Sequence, residues 1–272
     1  MKNKTKKALC AASILGVVAI SGIFAYLTDF ETKENKFTIG NVDIELLEPA
    51  WEIIYDDPAT EDVDEDNGVD KDKNGIPDFA ENIVPGQVIA KDPQIKNIGA
   101  NDAYVFMLVD IPSKDIDEYD EDGNIVNSAD DGLVSFLYET MYDNNYGYNE
   151  DDWVKIGWKS MYNENDRRIC RSVYAYKLPL LADPSGDGAE ANPLFDHVQV
   201  ANVALDQIDT EEDDIGIKIT AIAIQADDLP DEISGAIEDS DTDEEYIEAM
   251  KDLFDVYQAG LEDKLYVEDR IV

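Results

Sequence analysis

The spacing of oxygen-bearing side chains in residues 70–81 predicts a calcium-binding loop. This stretch reads D-K-D-K-N-G-I-P-D-F-A-E, with carboxylate or amide oxygens at the first, third, fifth, ninth and last loop positions. Calcium takes about six to eight oxygen ligands, and alternate residues of a tight loop direct them to one point. Gly75 stands where such a loop turns sharply. The predicted ligands are Asp70, Asp72, Asn74, Asp78 and Glu81 through their side chains and Ile76 through its backbone carbonyl.

Pro77 and the absence of a helical pattern upstream distinguish this loop from an ordinary EF-hand. It looks more like the calcium loops of extracellular bacterial proteins and of thrombospondin-type repeats. A solvated acidic loop is the alternative interpretation. Both interpretations also apply to Asp62, Asp64 and Asp66, which could form a second calcium site. We expect calcium to act structurally, by neutralising carboxylates so that a self-repelling loop can order.

The composition of the chain limits its partners. It has 63 acidic against 21 Lys and Arg residues, and its formal net charge is −42. Such a field repels phosphate backbones, which argues against nucleic-acid binding, and it attracts cations. Hydrophobic residues nevertheless make up 44% of the sequence, enough for a substantial core. The chain is therefore not expected to be a disordered acidic tail.

Residue types that support catalysis are scarce. His197 is the only histidine, which excludes an H-E-x-x-H zinc site. No nucleophile elbow or protease cysteine signature surrounds His197 or Cys170, so both are interpreted as structural. Paired carboxylates for glycoside cleavage stay open as an alternative, because so many acids make coincidental pairs inevitable. We expect a protein without catalytic residues.

Residues 1–25 have the pattern of an export signal. Lysines between positions 2 and 7 precede an apolar run over 8–24, and Ala25 is a small residue at the cut site. An uncleaved anchor is the alternative, because the apolar stretch is long enough to span a bilayer. Acidic residues follow it, which favours cleavage. This predicts a secreted protein with membrane contact only through the uncleaved signal. Cys170 would remain as its single thiol, and no disulfide is expected.

Most of the remaining chain has strand character. Residues 36–47 alternate, with a phase change at Gly40-Asn41 that fits a bulge. Residues 103–111 form a continuous apolar run, typical of a strand buried on both faces. Many strands without alternating helices predict a mainly β fold, an antiparallel β-sandwich. Further strands are predicted at 153–162, 169–176, 195–203 and 215–226.

The predicted sandwich domain covers 26–228 and is followed by an acidic helical extension, 229–272. It contains two acidic insertions, the calcium-loop insertion (56–82) and a second one at 113–152, within which a helix is predicted over 133–142. In the extension, Thr242 is the expected helix N-cap and Glu245 completes a capping box. Gly260 is the expected stop. The apolar residues predicted to share one face of this helix, and to pack it on the sandwich, are Tyr246, Ile247, Met250, Leu253, Phe254 and Tyr257.

The order of several short motifs resembles the TasA/camelysin family of Firmicutes. The motifs are A-Y-L-T-D (25–29), K-F-T-I-G-N-V-D-I (36–44), I-V-P-G-Q (83–87), K-D-P (91–93), N-I-G (97–99), L-F-D (194–196) and I-A-I-Q-A-D (222–227). The resemblance implies a jelly-roll sandwich, signal cleavage by a SipW-type signal peptidase, and a place in the biofilm matrix or on the cell surface of a Gram-positive bacterium. It also implies self-association into fibres, in which residues 26–37 add a strand to an open sheet edge of the next subunit. Pairing of this kind does not close, and it therefore gives filaments.

The favoured interpretation is a non-enzymatic, calcium-stabilised structural protein. It rests on the export signal, the strand pattern, the calcium loop and the missing catalytic set. Camelysins are also described as metallopeptidases, so a surface metallopeptidase or a carboxylate glycosidase is one alternative. A monomeric adhesin that uses residues 113–152 is the other.

Overall fold

A computed structural model describes residues 28–32, 35–37, 42–51, 77–80, 83–120, 122–131, 135–162, 168–182, 189–204, 216–227 and 229–258. Throughout this part of the chain the fold is mainly β, and every strand pair is antiparallel. Two β layers and one helical layer pack face to face. The mainly β expectation is therefore confirmed.

The central layer is a seven-stranded sheet. Its spatial order differs from the chain order, so that strands distant in sequence become neighbours. The order is β12 (Trp153–Tyr162), β13 (Arg168–Tyr176), β6 (Ala103–Lys114), β16 (Lys218–Gln225), β1 (Thr28–Thr32) and β2 (Asn35–Phe37), with β9 (Ser135–Phe136) on the end of β6.

Two smaller sheets form the opposite β layer, and a short hairpin lies beside them. Apolar residues from both layers, such as Ile95, Met107 and Val198, meet in one core. The three-stranded sheet has the order β14 (Ala189–Glu190), β5 (Gln94–Asn97), β3 (Ile44–Leu47). The four-stranded sheet has the order β11 (Asn145–Tyr146), β10 (Tyr138–Tyr142), β15 (His197–Val200), β4 (Val88–Ala90). The hairpin pairs β7 (Glu118–Tyr119) with β8 (Ile125–Asn127). Single 3₁₀ turns cover Pro49–Trp51, Asp78–Ala80 and Ala129–Asp131.

Strand β6 is buried on both faces, as its continuous apolar run predicts. Val105 and Met107 face the core between the β layers, whereas Phe106 and Leu108 face the helices. The helical layer consists of α1 (Asp231–Glu238) and α2 (Asp243–Gln258). The ring of Phe254 in α2 lies 5.0 Å from that of Phe106 between centroids. The extension therefore covers the outer face of the central sheet, which is why β6 carries no polar face.

Thr242 caps α2 as predicted, whereas the Glu245 carboxylate bonds the N–H one residue before the Thr242 N–H of a standard capping box. The Glu245 backbone N–H donates to Thr242 Oγ1 over 3.3 Å, and the Glu245 carboxylate accepts from the Asp241 backbone N–H over 3.0 Å. Met250, Leu253, Phe254 and Tyr257 are buried along the predicted face. Gly260 lies outside the described residues. Neither described helix is long and apolar enough to span a bilayer.

The helix predicted over 133–142 is wrong where the structure describes it. Strands β9 and β10 occupy this stretch, and Thr140 pairs with Val198 in the register of β10 on β15. Strands β10 and β11 of the predicted insertion thus belong to the second β layer, and Leu137 and Tyr138 lie in the core between the layers. Sheet pairing overrides the local helical pattern here, because it buries both residues.

Candidate functional site

The predicted calcium loop enters the described part of the chain only at its end. Asp78 opens the 3₁₀ turn Asp78–Ala80 and follows the buried Pro77. The other predicted ligands, Asp70, Asp72, Asn74, Ile76 and Glu81, lie outside the described residues, as do Asp62, Asp64 and Asp66. Within the described ranges, no group of three or more His, Cys, Asp or Glu residues could hold a metal ion. The calcium loop therefore stays a prediction.

The described residues on either side of 52–76 contact each other where they pack on the core. The rings of Trp51 and Phe79 are 5.6 Å apart between centroids and nearly perpendicular, at 89°. Gln87 holds the second end, because its Nε2 donates to the Phe79 carbonyl over 3.3 Å and its Oε1 accepts from the Val84 N–H over 3.0 Å. Trp51 and Phe79 both pack against the core between the β layers. The insertion is thereby anchored at its base.

A charged cluster lies beside Trp51. The indole N–H donates to the Ala90 carbonyl over 2.6 Å, and Lys91 Nζ lies 4.7 Å from the ring centroid. Lys91 Nζ is also 2.7 Å from Glu48 Oε1. Asp92 Oδ1 accepts from the Ala50 N–H over 2.9 Å. Burial raises the pKa of Asp92, and the charge of Glu48 adds to this effect. Sequence reasoning found no role for this cluster, since its members come from two separate segments.

The segment expected to join a neighbouring subunit pairs here within its own chain. Strand β1 runs antiparallel to β16, with Thr28 opposite Ile224 and Thr32 opposite Thr220. Strand β2 folds back on β1, with Phe30 opposite Phe37. An N-terminal hairpin thus completes the sheet beyond β16. The outer edge of β16 is therefore a surface that a strand of this sequence can complement.

The opposite edge of the central sheet is built differently. Strand β12 pairs with β13, and the register shifts between Lys155 and Gly157. The Lys155 N–H is bonded to the Tyr148 hydroxyl over 3.3 Å. A bulge, a charged lysine and a side-chain partner are devices that discourage further strand addition. The side of β16 that β1 covers is therefore better suited to accept a strand than the free edge of β12.

His197 and Cys170 lie in different sheets. His197 Nδ1 is 2.8 Å from Asp196 Oδ1, and Asp196 Oδ2 accepts from the backbone N–H of Asp143. Asp143 and Asn144 have positive φ angles of 48° and 63°, as a tight hairpin turn requires. Asp196 therefore links the histidine to the turn between β10 and β11. Cys170 stands in β13 opposite Ile111. Both residues contribute to sheet structure.

No protein family, curated protein or solved structure matches this chain. Its function has to be inferred from its own residues and their geometry.

Proposed function

We propose that this protein is an exported structural protein of the extracellular matrix or cell surface. It assembles into fibres when residues 26–37 leave their own β16 edge and pair with that of the next subunit. The β layers would then form a jelly-roll-like sandwich repeated along the fibre. The single observation that carries the proposal is the antiparallel pairing of β1 with β16 over five residues.

The chemistry of a strand ladder supports this exchange. Backbone hydrogen bonds join β1 to β16, and they do not depend on whether both strands belong to one chain. Exchange of an identical element between copies adds no new kind of contact, so it costs little free energy at equilibrium. Because the edge of one copy then receives the segment of another, the association is head-to-tail and open-ended.

Calcium has a stabilising role in this proposal. The insertion that carries Asp70, Asp72, Asn74, Ile76, Asp78 and Glu81 is anchored on the core by Trp51 and Phe79. Occupancy of the loop would lower the repulsion among its carboxylates in a chain of net charge −42. The calcium loop would thus support the subunit, while the β16 edge would join subunits.

Electron microscopy of the protein that begins at Tyr26 tests the proposal. We expect filaments in calcium, and we expect a variant lacking residues 26–35 to stay monomeric while its circular dichroism remains that of a folded β protein. Addition of a synthetic 26–37 peptide should shorten wild-type filaments by capping β16 edges, and a scrambled peptide of the same composition is the control. Filaments that persist after the deletion would contradict the mechanism.

The alternative functions predict different results in the same preparation. A metallopeptidase would cleave casein in a chelator-sensitive manner, and a glycosidase would lose activity when one defined carboxylate is neutralised. A monomeric adhesin would remain monomeric in both calcium and chelator. Any of these results without filaments would replace the proposed function.

A further inference from the structure

A buried lysine lies in direct contact with a carboxylate beside the base of the insertion. The Lys91 side chain is 7% exposed and that of Glu48 is 14% exposed, and Lys91 Nζ lies 2.7 Å from Glu48 Oε1. The Trp51 ring covers the amine at 4.7 Å from its centroid. The other ion pairs that link Lys177 with Asp243 and Lys251 with Glu248 each have a partner that is well exposed. The pair of Lys91 and Glu48 is therefore largely removed from water, as is the pair of Asp110 and Arg171.

Low water content changes which protonation states are favourable. An ion pair removed from water loses hydration of both charges, and its mutual attraction repays this loss only in part. Amide formation would require the transfer of one proton from Lys91 Nζ to the Glu48 carboxylate, which gives a neutral amine and a neutral carboxylic acid. These are the two forms that condense to an amide.

A second carboxyl group stands beside the pair. Asp92 follows Lys91 in the chain, and the Ala50 N–H holds its Oδ1 close to the segment of Glu48. Burial is the main cause that raises the pKa of Asp92, while the Ala50 hydrogen bond and the charge of Lys91 lower it. A carboxyl group can take up and return a proton as a general base and acid.

We propose that Lys91 and Glu48 form an intramolecular amide cross-link. The lone pair of Lys91 Nζ forms a bond to Glu48 Cδ, and one C–O bond of the carboxylic acid breaks. Asp92 accepts a proton from Nζ and delivers a proton to the departing hydroxyl, which leaves as water. The products are one amide and one water molecule, so the step needs no oxidant or other reactant.

Proximity makes the condensation feasible. Well-oriented groups within one molecule react with effective molarities up to about 10⁵–10⁸ M, which lowers the barrier to condensation. The nitrogen and the carboxyl oxygen are already at hydrogen-bond distance. Exclusion of water from the site also slows the reverse hydrolysis.

The cross-link has a clear structural consequence. Glu48 follows β3 and Lys91 follows β4, which belong to different sheets of the second β layer. The bond would join these two sheets covalently. It would also close a covalent loop that contains the calcium-loop insertion, 56–82. The insertion would stay tethered at its base if the sandwich opened locally.

Peptide mapping of the purified full-length protein tests this inference. After denaturation and proteolysis, we expect the peptide with Lys91 to be joined to the peptide with Glu48, at a mass one water lower than their sum. Trypsin should not cut after the modified Lys91. The peptides with Lys177 and Asp243 provide an internal control, because their exposed ion pair should stay unlinked. Two separate, unmodified peptides for Lys91 and Glu48 would overturn the proposal.

Variants separate the roles of the three side chains. Lys91→Arg keeps a cation beside Glu48 but has no reactive amine, and it should abolish the linked peptide. Asp92→Asn keeps an acceptor for Ala50 and should reduce the linked fraction at a fixed time after synthesis. An unchanged linked fraction in Asp92→Asn would remove Asp92 from the mechanism. Because the map is made on denatured protein, its result does not depend on whether the subunits form fibres.

Discussion

The ring of Trp51 meets the ring of Phe79 edge to face, 5.6 Å between centroids, across the base of the acidic insertion. The two residues flank a stretch that carries most of the predicted calcium ligands. Edge-to-face aromatic pairs contribute about 0.5–1.5 kcal/mol beyond the area that they bury. The ring pair therefore packs the end of the predicted calcium loop against the sandwich core.

Loss of this ring pair should weaken both the fold and calcium binding. We expect Phe79→Leu to lower the free energy of unfolding by about 0.5–1.5 kcal/mol through the lost aromatic contact. A double-mutant cycle with Trp51→Leu in urea, in chelator, measures the coupling. Calcium titration by calorimetry should show weaker binding in each single variant. Additive effects of the two substitutions would mean that the rings do not cooperate.

Replacement of the first two predicted calcium ligands should lower stability only when calcium is present. We expect Asp70→Asn with Asp72→Ser to lower Tm in calcium and to leave Tm in chelator unchanged, because the two carboxylates stabilise the fold only through the ion. Differential scanning calorimetry gives both values. Asp122→Asn, in the separate turn between β7 and β8, is the matched control for loss of an acid. An equal loss in calcium and in chelator would show that residues 70–81 do not form a calcium site.

A single substitution in the ion pair of Asp110 with Arg171 should strongly destabilise the fold. Arg171 Nε and Nη2 donate to the two carboxylate oxygens over 2.6 and 2.7 Å, and the pair is largely buried. Arg171→Met leaves a buried charge without its partner, which typically costs about 3–5 kcal/mol. Adding Asp110→Leu should recover much of this loss in urea unfolding. Arg168→Met disrupts the more exposed pair with Asp115 and should cost only about 0–1 kcal/mol.

Strand exchange should be detectable by an engineered disulfide between β1 and β16. Glu31 and Ala221 are register partners of β1 and β16, so Glu31→Cys with Ala221→Cys, in a Cys170→Ser background, places two thiols in one ladder. If fibres form by exchange, oxidation after assembly should give a ladder of multimers on a non-reducing gel. Oxidation before assembly should lock the monomer and prevent filaments until a reductant is added. Oxidised fibres that run only as monomers would exclude exchange of β1.

Buried tyrosines should make the fold sensitive to alkali. Burial raises the pKa of Tyr138 to about 12 and also raises the pKa of Tyr174 and Tyr257. Below the ordinary tyrosine pKa, about 10, both states hold the proton and stability is unaffected. Above it the unfolded chain ionises first, so stability falls as pH rises towards the folded pKa. The urea midpoint from pH 9 to 12 should fall less steeply in Tyr138→Phe, with Tyr146→Phe as an exposed control.

Local sequence patterns correctly predicted the elements whose burial follows from their own periodicity. These are strands buried on one or both faces and a helix buried on one face. The apolar run of β6 and the Thr242 cap of α2 are examples, because burial and capping depend on neighbours in sequence. The stretch that became β10 was predicted incorrectly. Its strand state follows from pairing with β15, whose register partner His197 lies far from Met141 along the chain. Such pairing has no local signature.

The sequence by itself determined the acidic charge, the spacing of the predicted calcium ligands, the strand periodicity and the resemblance that suggests fibres. Each of these depends only on residue type and on short separations. Tertiary structure decided which edge β1 occupies, and it brought Lys91 to Glu48 over a separation of 43 residues. Chain topology fixes such contacts, because a buried ion pair or a strand edge becomes defined only when distant segments pack and exclude water.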